Sequence, residues 1–231
     1  MSLVFFKKLR ATKRVCILLC IYLLLFSSFS LVACKKEIDY FQYVSDLRSN
    51  IYLAKTEEFS LKIYCSVKES PYTPDGIPRE TFSRIEAYMV APDSSKTVHI
   101  RIQNESSEFG GEMSHDSVRG EYYYFTSHTI SNPSALTCHI QYGETEFSLT
   151  ASSVLTENTL SPKQALQSLR QQHADVFSSL TDKYGFSGEI HLRLLYEGAP
   201  YYYFGIIDRE GNCNAFLMNA QTGKVLAKRE N

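Results

Sequence analysis

Alternation of side-chain character is strict in the stretch Phe59-Ser60-Leu61-Lys62-Ile63-Tyr64-Cys65-Ser66-Val67. A period of two places every second side chain on one face of a β-strand, so this stretch predicts a strand with one buried face. Polar residues 55–58 separate it from an apolar run at residues 50–54, and together the three segments predict a β-hairpin. Further short alternating runs follow, divided by segments rich in Pro, Gly and Ser. About seven short strands in a hundred residues predict an immunoglobulin-like antiparallel β-sandwich over residues 50–151.

The period of the pattern changes after a polar linker at residues 152–161. Ser161, followed by Pro162 and Gln164, is typical of a helix start, and apolar residues then recur every three or four positions until Gly185. This pattern predicts one helix, and the alternating runs after it predict an antiparallel meander. We therefore expect a second domain at residues 162–231. The predicted fold class is α+β, mostly β: a sandwich followed by a helix-plus-meander domain.

The N-terminal segment has the parts of a secretory signal. Five Lys and Arg residues lie within the first 14 positions, and an unbroken apolar run follows at residues 15–26. Leu31-Val32-Ala33-Cys34 comes next and resembles the lipobox of bacterial lipoproteins. The resemblance implies that the signal, residues 1–33, is removed and that the Cys34 thiol carries a diacylglyceryl group. Residues 34–49 would then form a membrane-proximal tether or a short helix.

This N-terminus predicts a protein attached through lipid to the extracytoplasmic face of the bacterial cell membrane. The alternative is a membrane-spanning anchor that contains an incidental cysteine, because the apolar segment is long enough to cross a bilayer. Both alternatives leave the rest of the chain outside the cytoplasm, since the basic residues stay inside.

Residues 160–229 resemble a PepSY domain. The likeness lies in one helix followed by a meander that ends in the turn Thr222-Gly223, whereas Asn219 and Lys224 stand where that family has acidic residues. PepSY modules are non-catalytic, are exported or membrane-tethered, and modulate peptidases or sense the cell envelope. The order of lipobox, β-rich middle and PepSY-like end also resembles uncharacterised lipoproteins of Gram-positive bacteria.

Motifs that would identify an enzyme are absent from the sequence. It contains no Gly-x-Ser-x-Gly elbow, no His-Glu-x-x-His helix, no Walker loop and no Gly-x-Gly-x-x-Gly turn. The histidines of the β-rich segment lack the close spacing of metal ligands, so we expect no metal and no cofactor. These histidines are His99, His115, His128 and His139.

The charge balance and the missing motifs favour binding over catalysis. The chain has 24 Lys and Arg against 25 Asp and Glu, and without the basic signal the remainder is acidic, which argues against nucleic acid as a partner. We expect a non-catalytic protein that binds an extracytoplasmic protein. The alternative is an envelope hydrolase acting on peptide or polysaccharide, because the members of a catalytic triad assemble in space.

Two cysteines of the β-rich segment are candidates for a disulfide. Alternation places Cys65 and Cys138 on the inward faces of two strands. They could bridge the two sheets of a sandwich, as in immunoglobulin domains, or remain reduced and act as small buried apolar residues.

Aromatic residues supply the candidate contacts for a protein partner. Tyr72 and Ile77 lie in a proline-rich loop, which offers a surface for binding or is a rigid turn between strands. Residues 122–125 and 201–204 are runs of aromatics that place rings on both faces of a strand. In the second run we expect exposed contacts, unless that face packs on the neighbouring domain. The residues concerned are Tyr201, Tyr202 and Tyr203.

Overall fold

The structure, a computed structural model, describes residues 38–104 and 107–230. Cys34 and the predicted signal lie outside these residues. Asp39–Asn231 forms one compact unit. No helix in the described part of the chain is both long and apolar enough to span a membrane.

The described residues form fourteen strands, two α-helices and one 3-10 helix. The 3-10 helix, Tyr40–Tyr43, lies within the predicted tether and ends where the first strand begins. The strands are β1 Val44–Lys55, β2 Ser60–Glu69, β3 Thr81–Val90, β4 Val98–Gln103, β5 Glu108–Asp116, β6 Glu121–Thr126, β7 Ala135–Tyr142, β8 Thr145–Ser153, β9 Thr181–Asp182, β10 Gly185–Phe186, β11 Glu189–Tyr196, β12 Pro200–Ile207, β13 Cys213–Asn219 and β14 Val225–Glu230. The helices are α1 Pro162–Gln172 and α2 Ala174–Ser179.

Eight strands close into an antiparallel barrel in the order β1-β2-β3-β6-β5-β4-β7-β8. The second half of β1 closes it, because Tyr52 pairs with Ser153 of β8 and Leu53 pairs with Ser152. Side chains that point inward fill the interior of the barrel as one apolar core. Its fully buried members include Tyr52, Leu61, Ile63, Met89, Ile100 and Leu136.

The predicted fold class, an immunoglobulin-like sandwich followed by a helix-plus-meander domain, is wrong. The chain is mostly β, but its first eight strands form a closed barrel and further strands extend the same sheet. Alternation could not separate the two architectures, because a period of two identifies only the buried face of each strand. Sandwiches and barrels both bury one face of every strand.

Strand β1 belongs both to the barrel and to a second group of strands. Its first half pairs in parallel with β11, which continues into the antiparallel meander β11-β12-β13-β14. A register shift between Arg48 and Asn50 separates the two halves. Asn50 is fully buried there, and its side-chain oxygen accepts hydrogen bonds from the Ile51 N–H at 2.8 Å and the Ser153 hydroxyl at 2.9 Å. The predicted linker, residues 152–161, includes the end of β8 and leads into α1, and the barrel strands before it share one sheet with the meander strands after the helices.

Two helices cover one face of the meander. Helix α1 begins with a capping box, in which the Ser161 hydroxyl accepts a hydrogen bond from the Gln164 N–H and the Gln164 side chain accepts one from the Ser161 N–H. The single helix expected from the sequence is divided at His173, and the short β9–β10 hairpin follows α2. The Tyr202 hydroxyl donates to the Leu160 carbonyl oxygen at 2.7 Å, which joins the meander to the segment leading into α1.

Candidate functional site

The β2–β3 loop, residues 70–80, contains two of the predicted partner contacts and folds onto the C-terminal strands. The Asp75 carbonyl oxygen accepts a hydrogen bond from Nε of Arg209 at 3.2 Å. The Tyr72 ring lies 5.5 Å from the ring of His191 on β11. The loop is therefore held against the helix-free face of the meander at two separate points.

Gly76 brings the loop backbone directly onto the chain that leads into β11. A Cβ atom on Gly76 would lie 2.7 Å from the carbonyl carbon of Ser187, and the φ angle of Gly76 is +71°. Both the close approach and the left-handed backbone therefore require glycine.

The change Gly76→Ala should lower the free energy of unfolding by about 2–4 kcal/mol, because left-handed strain adds to overlap with a backbone that cannot move aside. Gly198→Ala is the matched control, since Gly198 has a φ of +74° and no atom within 4 Å of the added Cβ. We expect a loss of about 1–2 kcal/mol for the control. Urea unfolding followed by circular dichroism measures both, and equal losses would contradict a docked loop.

Two buried carboxylates lie beneath the loop. Glu189 is 2% exposed and Glu69 is 6% exposed. One oxygen of Glu69 accepts a hydrogen bond from the Arg79 N–H at 2.5 Å, whereas the other has no hydrogen-bond partner among the described residues. The Arg79 guanidinium is engaged with Asp75. Burial raises the pKa of Glu189 to about 7, and the charges of Glu69 and Asp75 contribute to the increase.

An ion pair lies next to these carboxylates. The Nε and Nη2 atoms of Arg193 donate to one oxygen of Asp46 at 3.0 and 2.6 Å. Burial lowers the pKa of His191, which pairs with Asp46 across the parallel strands, and the charge of Arg193 lowers it further. Within residues 38–104 and 107–230, no group of His, Cys, Asp and Glu could hold a metal ion. The buried groups beneath the loop can therefore hold a proton, at Glu189, and an ion pair, between Arg193 and Asp46, but they are not arranged as metal ligands.

The structure divides the predicted partner contacts between two environments. Tyr72 is 47% exposed and Ile77 is 58% exposed at the tip of the docked loop. Tyr201 and Tyr203 are half-buried on the helix-free face of β12. Tyr202 points the other way and is fully buried, so it cannot contact a partner as predicted.

A second exposed surface, which was not predicted from the sequence, lies on the outside of β3 and β6. This aromatic–arginine face consists of Phe82, Arg84, Tyr88, Val90, Tyr123 and Phe125. Tyr123 pairs with Tyr88 across the two strands, and the Arg84 guanidinium lies 5.1 Å from the centre of the Phe125 ring. A cavity of about 240 Å³ opens beside four of these side chains, and the charged residues that also line it are Glu86, Asp116, Arg119 and Glu121.

The aromatic–arginine face continues onto β2 and β1. The Tyr64 and Tyr88 rings meet edge to face at 5.7 Å, and the Arg48 guanidinium lies 3.9 Å from the centre of the Tyr64 ring. Such stacked cations are stabilised by the ring electrons and keep the guanidinium in a fixed position. A second cavity of about 300 Å³ lies beside these residues.

The sequence does contain a signal for this face. The run at residues 122–125 is aromatic at every position, whereas a strand at the surface of a core needs apolar residues only at alternate positions. Tyr122 is the inward member and is 2% exposed, while Phe125 is 60% exposed. The excess of aromatic residues over what the core can accept marks the exposed surface.

The two cysteines proposed for a disulfide are both free thiols. Cys65 lies on β2 and Cys138 on β7, and strands β1 and β8 stand between them in the barrel wall. Three inter-strand steps of about 4.8 Å separate them along that wall, whereas a disulfide joins Cα atoms about 4.4–6.8 Å apart. Burial raises the pKa of each thiol to about 12, so neither is a reactive thiolate near neutral pH.

The histidines of the barrel occupy two kinds of position. His115 and His128 pack on aromatic rings, with ring centres 4.9 Å from Tyr122 and 4.8 Å from Phe109. His99 and His139 point outward and line one cavity on the outside of β4 and β7.

Comparison of the chain with models of protein families, with curated proteins and with solved structures gave no match.

Proposed function

We propose that this protein is a non-catalytic lipoprotein on the extracytoplasmic face of a bacterial membrane, where it binds an extracytoplasmic protein through its aromatic–arginine face. The observation that carries the proposal is the clustering of exposed aromatic side chains with arginine on two neighbouring strands. Tyr, Phe and Arg are enriched at protein interfaces relative to the rest of the protein surface, so their clustering on an exposed face is typical of a binding surface.

The geometry of the face supports a protein as the ligand. Its rings stand on β-strands rather than on loops, so little conformational freedom is lost when they become buried against a partner. Arg84 already stacks on Phe125, which reduces the entropy that the guanidinium loses on binding. Large exposed apolar groups that cluster in this way are typical of interaction sites.

Two sequence features support the proposed location of the protein and the proposed class of its partner. The Leu31-Val32-Ala33-Cys34 lipobox supports attachment to the membrane, with the barrel outside the cytoplasm. The PepSY-like turn Thr222-Gly223 supports a peptidase as the partner, with modulation of that peptidase or sensing of the envelope as the outcome.

The double change Tyr123→Ser and Phe125→Ser tests the proposal in intact cells. A membrane-impermeant cross-linker should join the wild-type protein to a specific protein, and the double variant should reduce that product at least fivefold, because truncation of an interface aromatic costs about 1 kcal/mol or more. Tyr184→Ser is the matched control, since Tyr184 is also exposed but lies at the β9–β10 turn. Equal cross-linking by all three proteins, or recovery of lipid and cell wall alone, would refute the proposal.

A further inference from the structure

The outer surface of β5, β4, β7 and β8 contains a cavity of about 670 Å³. This outer cavity is of the size of sites that hold small ligands, which is about 300–1,000 Å³. It shares no lining residue with the aromatic–arginine face or with the β2–β3 loop. The outer cavity is therefore a separate site from the protein-binding face.

Gly110 leaves the floor of the outer cavity without a side chain. It pairs with Arg101 on β4, and a Cβ at Gly110 would lie 2.0 Å from the Ile100 carbonyl oxygen. No other residue can therefore occupy this position without separating β5 from β4. The neighbouring strands carry polar side chains around the bare floor, so the surface is hollow there and its rim is polar.

The rim combines hydrogen-bond donors and acceptors from four adjacent strands. The polar side chains that line the cavity are His99, Arg101, Glu108, His139, Gln141, Glu146 and Ser148. Their order follows from strand pairing, because Arg101 stands opposite His139 and His99 stands opposite Gln141.

Several of the rim groups are already held in place. His139 Nδ1 and the Ser148 hydroxyl are hydrogen-bonded at 2.8 Å, and His139 Nε2 lies 3.5 Å from the Gln103 side-chain oxygen. Arg101 pairs with Glu108 at 3.7 Å. Groups that are positioned before a ligand arrives lose less entropy when it binds.

The charge pattern of the rim selects the class of ligand. An anion drawn to Arg101 would also lie close to the Glu108 carboxylate, which is 3.7 Å from the guanidinium, and would share the cavity with Glu146. A cation drawn to Glu108 would lie close to Arg101. A hydroxyl group avoids this conflict, because it donates to a carboxylate and accepts from a guanidinium. We propose that the outer cavity is a binding site for an uncharged, hydroxyl-rich ligand, namely a short oligosaccharide.

Titration of the purified protein with two uncharged trisaccharides, triacetylchitotriose and maltotriose, tests the proposal by calorimetry and by saturation-transfer NMR. At least one of them should bind saturably. Arg101→Ala and Gln141→Ala should each raise its dissociation constant at least fivefold, because each removes hydrogen-bond donors from the rim of the cavity. Thr150→Ala is the matched control, since Thr150 is an exposed residue of β8 outside the cavity, and it should change the constant less than twofold.

Inorganic phosphate and spermidine serve as the charged probes in the same titration. Stronger binding of either charged probe than of both trisaccharides would overturn the proposal. Absence of trisaccharide binding, or equal binding by Arg101→Ala, Gln141→Ala and wild type, would overturn it as well. Thermal unfolding by circular dichroism confirms that each variant is folded, and the Tyr123→Ser and Phe125→Ser protein should bind the sugar as the wild type does.

Discussion

Replacement of Glu189 by Gln should raise the free energy of unfolding at pH 8 by up to about 3 kcal/mol. Burial beneath the β2–β3 loop raises the pKa of this carboxyl from 4.5 to about 7 in the folded protein. Above pH 7 the folded state therefore contains an ionised carboxylate that would be better solvated in the unfolded chain. Gln has nearly the same size and shape as Glu, keeps one side-chain oxygen as an acceptor and removes that charge.

The sign of the pH dependence follows from the direction of the shift. Between about pH 4.5 and pH 7 the folded protein binds the Glu189 proton more tightly than the unfolded chain does, so this group makes stability fall as the pH rises. Below pH 4.5 both states are protonated, and Glu189→Gln should match the wild type. The neighbouring Glu69 carboxylate adds to the loss of stability at high pH, because its negative charge repels that of Glu189. The Arg79 guanidinium is engaged with Asp75 instead.

Urea unfolding at pH 4.5, 6 and 8 measures this difference. Because the chain has no Trp, circular dichroism or Tyr fluorescence is the suitable signal. Glu197→Gln, at an exposed carboxylate in the β11–β12 turn, is the control and should follow the wild type at each pH. If Glu189→Gln were no more stable than wild type at pH 8, a net destabilising effect of the buried Glu189 charge would be refuted.

The change Gly110→Ala should lower the free energy of unfolding by about 3 kcal/mol or more, because the added methyl overlaps the backbone of the paired strand. The built Cβ lies 2.0 Å from the Ile100 carbonyl oxygen and 2.7 Å from Cα of Arg101. A side chain could rotate out of such a contact. A hydrogen-bonded strand can only move away from its neighbour, and that would weaken the β4–β5 ladder.

The adjacent glycine supplies the control for this prediction. A Cβ at Gly111 would meet the Tyr124 ring at 3.0 Å, and that ring is half-buried and able to shift. We expect Gly111→Ala to cost about 1 kcal/mol, at the lower end of the range for overpacking. Equal urea midpoints for the two variants would contradict the close approach of the β4 and β5 backbones at Gly110.

Much of the local structure could be predicted from the pattern of residues. Residues 60–67 of the alternating stretch lie within β2, and the hairpin expected around residues 55–58 joins β1 to β2. The Ser161 capping box begins α1 as expected, because its hydrogen bonds connect residues only three positions apart. The division of the expected helix at His173 was not predicted, since the apolar spacing continues through it.

The candidate sites were predictable only in part. Composition singled out the Tyr72 and Ile77 loop, and both side chains are exposed. It could not show that Gly76 docks this loop on Ser187 above two buried glutamates, because those contacts join different strands of the sheet. The aromatic excess at residues 122–125 contained the signal for Tyr123 and Phe125, but the pattern alone does not tell which side of a strand faces water.

Residue order was sufficient to locate most strands of this protein, since a period of two, a capping box and turn residues act within a few positions of the chain. It did not locate β5, the short strands β9 and β10, or the first half of β1, which lies in the predicted tether. It was not sufficient for the architecture. The pairing of Tyr52 with Ser153 closes the barrel, and the parallel pairing of β1 with β11 adds the meander to the same sheet. An alternating strand has a defined buried face but accepts many partners, so the choice between sandwich and barrel depends on the packing of side chains distant in sequence.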